Sequence, residues 1–213
     1  MEPTPGTLDP QQAAALLGET NRQARRRLEP YPPWLTATRG LLVLAGSGAI
    51  WLAVRGQHPY RGPSVALAVP VVVAFVVVNF VVTLAVARRA TAGVSGRSRL
   101  HPAEIAVMTV AWIGVYVVMG ALAGAGAGDA FVYGLYPATV PLIVVGLAWA
   151  AIMAARANWR RSGAGLAVAV VGAVGLLAGP VGAWAVAGVG VCVVLLTIAA
   201  ARAWQQHHGL VRA

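Results

Sequence analysis

The sequence predicts an all-α membrane protein: six transmembrane helices in a bundle, preceded by a cytoplasmic amphipathic helix. Three observations predict it. Hydrophobic residues make up 59% of the 213 positions and charged residues only 10%, where a soluble domain carries about 25% charged residues. Apolar runs of about 20 residues, enough to cross a hydrocarbon core, recur from Gly40 to the end. Arginines cluster at the ends of those runs, where interfacial charge belongs.

Residues 1–34 are the only long polar segment. They open acidic and proline-bearing, without the apolar region of a secretory signal. Asp9 as N-cap, Pro10 at the first helical position and Gln12 as capping partner predict a helix over 10–29. Ala13, Leu17, Ala24 and Leu28 share one face, and Arg22, Arg25 and Arg26 lie largely elsewhere, which makes the helix amphipathic. Pro30, Pro32 and Pro33 end it, and Trp34 stands as an interfacial anchor.

The transmembrane domain is expected over 35–203. Its first span covers 35–54, with Arg39 snorkelling to the near interface. The second covers 64–87, kinked at Pro70 and carrying Asn79 near mid-depth. The third covers 103–123, and the fourth 130–155 with Pro137 and Pro141 in its first half. From Gly163 to Ala201 the apolar run is too long for one crossing at about 1.5 Å per residue. Gly179-Pro180-Val181-Gly182 is its breaker cluster, so a hairpin there divides it into spans 163–178 and 183–201. Residues 204–213 read as a cytoplasmic tail.

Orientation follows from arginine counts. Arg22, Arg25, Arg26, Arg27 and Arg39 precede or open the first span. Arg88, Arg89, Arg97 and Arg99 fill the second loop, Arg156, Arg160 and Arg161 the fourth, and Arg202 and Arg212 the tail. The opposite side holds only Arg55 and Arg61. The positive-inside rule then places both termini in the cytoplasm, and the all-arginine usage with abundant Ala, Val and Gly suits a GC-rich bacterium, so a bacterial plasma membrane is the expected location. All sixteen basic residues are arginine, against six acids, for a net charge of +10. The expected partner for that charge is the bilayer's anionic inner leaflet rather than nucleic acid. A homo-oligomer is also compatible with the sequence. Glycine spacing marks helix contacts: Gly120, Gly124 and Gly128 form two GxxxG steps, and Gly175 with Gly179 a third.

Few residues can carry chemistry. His101 and Glu104, three apart at the start of the third span, share a helix face as a proton relay requires. The favoured reading of Glu104 is still a helix-dipole partner beside Pro102. Asp129 reads as the N-cap of the fourth span. Topology puts these two carboxylates at opposite interfaces, about 30 Å apart, so they cannot share a substrate. Asn79 with Thr83 suits an interhelical bond, or the lining of a path. Met108, Trp112, Tyr116 and Met119 form a stripe that suits helix packing, or a hydrophobic pocket. The loop from Arg55 to Arg61 could anchor at the interface or hold an anion. Metal ligation is not expected, because no second His or Cys pair has matching spacing. The chain has no lysine and hence no phosphate loop with its lysine. No cofactor is expected.

Leu8-Asp9-Pro10, the run from Arg25 to Pro30, and the C-terminal segments from Gly179 to Trp184 and Ala201 to Trp204 resemble those of small actinobacterial six-span integral membrane proteins. That group is transport-associated without an assigned activity, so the resemblance implies location rather than reaction. The leading expectation is a non-enzymatic accessory or regulatory subunit. Arg22, Arg25, Arg26 and Arg27 would dock its N-terminal helix on a cytoplasmic protein or on lipid. The alternatives are a small transporter or channel for a hydrophobic or weakly polar compound, using Asn79 and Tyr116, and a lipid-modifying enzyme using Glu104 and His101.

Overall fold

The computed structural model describes residues 33–64 and 100–211, together with Leu16, Gly18 and scattered positions between 66 and 84; for 100–103 and 207–211 it describes backbone alone. Among the described residues the fold is helical, without strands. Helix α1 is Pro33–Val54 and α2 is Leu100–Gly124. A π-helical segment, Ala130–Leu135, leads into α3, Tyr136–Ala155. Helix α4 is Trp159–Leu177 and α5 is Gly179–Val211. Among the described residues, five helices are long and apolar enough to cross a membrane. They match the predicted first, third, fourth, fifth and sixth spans. In the predicted second span, every described residue from Ala66 to Leu84 is helical, and Val71 approaches α1 at Gly46. Asn79, Thr83 and the arginines at 22, 25, 26 and 27 lie outside the described residues.

Two helix starts move by four residues. The fifth span begins at Trp159 rather than 163, because Asn158 caps it: its side-chain oxygen accepts from the Arg161 N–H. The hairpin before the sixth span is tighter than four residues. Ala178 ends α4, and Gly179, at φ +72°, makes the reversal that a side chain would strain. Pro180 then falls in the first turn of α5, where its missing N–H costs nothing. The expected tail is helical through Val211.

The fourth span begins and ends where expected, but its first six residues are π-helical. Pro137 has no N–H to donate, which breaks the α ladder one turn back. In the wider winding the Tyr136 N–H reaches Phe131 O. Asp129 occupies the N-cap position, yet its backbone is already helical and its side chain makes no capping bond.

Small residues set the packing, and of the expected glycines only Gly175 lies on a helix contact among the described residues. The close contact is between α3 and α4: a methyl on Gly165 would lie 2.7 Å from Ala150 N and Gly146 O, and one on Gly146 2.8 Å from Ala169 N and Gly165 O. Gly172 and Gly175 continue this line against Thr139. Gly120, Gly124 and Gly128 instead face open space among the described residues, as does Gly179. Helix α5 runs antiparallel to α1, with Gly188 beside Ser47, Cys192 beside Gly40, and Arg202 donating to Thr36 Oγ1 at 3.4 Å. Gly190 receives Val171 of α4. Helix α2 stands at the edge, against α3.

Candidate functional site

Two ends of the bundle can be distinguished by contact. Thr36 with Arg202, and Glu104 with Arg156, bring together the start of α1, the end of α5, the start of α2 and the end of α3. Arg39 belongs to this end by its place on α1, and Arg160 and Arg161 by the short turn that joins α3 to α4. Tyr60, Gly134, Pro180 and Trp184 gather at the other end, which carries Arg55 and Arg61. The described arginines are thus divided five against two, the asymmetry expected from the sequence.

At the arginine-rich end the Glu104 carboxylate forms an ion pair with Arg156. Helix α2 begins at Leu100, so Glu104 lies beyond its first turn. The helix-dipole reading of Glu104 is therefore corrected: its carboxylate is neutralised by a guanidinium from the loop after α3. Glu104 is 17% exposed and Arg156 35%, so the pair is half-sheltered at a helix end. The partner was visible in the sequence only as one arginine among several. For His101 the backbone places it three residues before Glu104 on the same helix.

Inside the bundle, polar side chains hold helices. Tyr136 donates to Val115 O at 2.9 Å, which ties α3 to α2 through a buried bond. Ser162 donates to Ala150 O at 2.9 Å and ties α4 to α3. Thr139, fully buried, donates to Leu135 O at 2.7 Å, beside the π segment. Each satisfies a hydroxyl in apolar surroundings by using a backbone oxygen. Sequence reasoning passed over Tyr136, Thr139 and Ser162; the available signal was a polar side chain on a helix crowded with glycine and alanine.

Tyr116 stacks on Trp112 with centroids 5.9 Å apart and planes 15° from parallel. Both rings remain substantially exposed. Tyr116 is not brought together with Glu104, which lies about three turns earlier on the same helix.

At the opposite end the first loop straps across the bundle. Tyr60 packs on the bare face of Gly134, which also meets Pro180, and Gly62, at φ +83°, packs on Tyr133. Burial raises the Tyr60 phenol above its ordinary value, and the neighbouring Trp184 indole works in the opposite sense. The indole is near enough to act on the phenol but not aligned with it, since Trp184 Nε1 makes no hydrogen bond of good geometry. Arg55 lies over the Trp51 ring, 5.3 Å from its centroid. A groove of about 450 Å³ between α4 and α5, lined by Val170, Val174, Val186 and Val189, is apolar. Among the described residues no cluster of His, Cys, Asp and Glu could hold a metal ion.

The architecture defines a class: a helical protein with, among the described residues, five helices suited to crossing a membrane. The chain matches no protein-family model, no curated protein and no solved structure.

Proposed function

We propose that this chain is a non-enzymatic, multi-pass plasma-membrane protein, an accessory or regulatory subunit of a transport or signalling system, with both termini cytoplasmic. The observation that carries the reading is the use made of polar groups. Glu104 is committed to Arg156, and Tyr136, Thr139 and Ser162 are committed to backbone oxygens. The bonds of Glu104, Tyr136 and Ser162 join different helices and that of Thr139 closes within its own helix, so the four do not converge on one point. The arginine-rich N-terminal segment then supplies the docking element, in keeping with the small actinobacterial membrane proteins the sequence resembles.

Purification from native membranes in mild detergent, with mass spectrometry of everything retained, tests the proposal. A stoichiometric cytoplasmic protein, lost when residues 1–30 are removed, is the expected result. A chain that emerges alone and turns over a lipid would overturn it.

One observation favours a second reading, a small transporter for a hydrophobic or weakly polar compound. The start of the predicted fourth span is π-helical, with Pro137 and Pro141 in the following turns. Irregular helix of this kind is used at membrane binding sites. Compound flux into liposomes carrying the purified chain alone would support this reading over the first.

A further inference from the structure

We propose that the turn Trp159-Arg160-Arg161, at the start of α4, is a docking surface for the anionic headgroups of the bilayer itself. The inference rests on the membrane-embedded reading above and assigns a lipid contact to residues outside the N-terminal segment. Its first support is depth. Stepping equally from the Gly190·Val171 contact along antiparallel α5 and α4 brings Arg202 level with Trp159, and Arg202 meets Thr36 of α1. The turn therefore lies at the level where α1 begins and α5 emerges. Trp34 and Trp204, both largely exposed, mark the same level, as tryptophans do at a headgroup boundary.

Charge balance is the second support. The described acids are Glu104 and Asp129, and Asp129 belongs to the opposite end. Arg156 takes Glu104. Among the described residues, no acid remains at this end to compensate Arg160 and Arg161, both of which are exposed. Arg55, at the other end, has a Trp51 ring beneath it.

The geometry is the third. Asn158 holds the backbone N–H of Arg161, which sets the two arginines on the first turn of a helix. Trp159 projects beside them, 72% exposed. A guanidinium presents a fork of donors that matches phosphate oxygens, and an indole suits the boundary between headgroup and acyl chain. An anionic lipid offers both partners at once. An acidic protein surface would satisfy the arginines but would not require the indole at membrane depth.

The test uses the full chain in nanodiscs of phosphatidylcholine with and without phosphatidylglycerol, followed by native mass spectrometry of retained lipid. Each arginine near an anionic surface contributes about a fivefold preference. Arg160→Gln with Arg161→Gln should therefore lower phosphatidylglycerol retention by about tenfold or more. Replacing both by lysine should restore most of it. Glu104→Gln, which frees Arg156, should raise retention above that of the parent chain. Retention unchanged in the glutamine pair, or lowered equally by Arg55→Gln with Arg61→Gln, would overturn the docking surface. So would capture of an acidic protein by the same two arginines in place of lipid. Release of the parent chain from native membranes by alkaline carbonate would instead overturn the membrane reading beneath it.

Discussion

Glu104 and Arg156 are far apart in sequence and meet only because α2 begins on the side where α3 ends. Their bond gives a residue-scale prediction. Glu104→Gln should destabilise the chain by about 1 kcal/mol, less than a fully buried pair because solvent reaches Arg156. A double-mutant cycle with Arg156→Gln, read by thermal unfolding in detergent, measures the coupling. Any function the chain supports should survive the change, since the carboxylate serves the fold. Tyr136→Phe removes the buried bond to Val115 O and should cost a similar amount, about 1 kcal/mol. Tyr60 supplies a pH dependence. Its phenol is held above the ordinary value of 10.0 by burial, so the folded state favours the neutral form. Its contribution is complete below that value and is lost as pH rises through the raised one. Alkaline unfolding of the parent chain should accordingly begin at lower pH than that of Tyr60→Phe, which has no phenolate to form.

At the scale of elements, the contact between α3 and α4 is made by absent side chains. Hydrocarbon gives helices no hydrophobic reason to associate, so close backbone approach must supply the attraction. Gly165→Ala pushes a methyl to 2.7 Å from the Ala150 nitrogen and should destabilise by about 1–3 kcal/mol. Gly120→Ala and Gly124→Ala meet open space among the described residues and should leave the melting temperature unchanged or slightly raised. Comparing the three by detergent melting checks which glycine line is the interface. Spacing alone favoured Gly120, Gly124 and Gly128, because the sequence shows which residues share a helix face but not which face meets a neighbour. The working pairs, Gly146 with Ala150 and Gly165 with Ala169, have the same four-residue step. The α4 boundary was legible in principle: Asn158 before Trp159 is a cap, hidden by the habit of reading Arg160 and Arg161 as loop.

Across the whole molecule, the arginine asymmetry predicts a topology. Reporters fused at Gly56 and Gly126 should read as external, and reporters at the two termini as cytoplasmic. A termini-out pattern would reverse the orientation and place the Trp159 turn on the outer leaflet. The helical class, the span limits at Val54 and Ala155, and the existence of a hairpin near Gly179 were determined by sequence alone. These depend on hydrophobic length and on glycine and proline, which act locally. Only the tertiary structure decided that Arg156 answers Glu104, that Gly165 lies at a close helix contact, and that Tyr60 closes on Gly134. Each is a meeting between distant segments, and in a chain of uniformly apolar helices the sequence carries little polar contrast to say which faces turn inward.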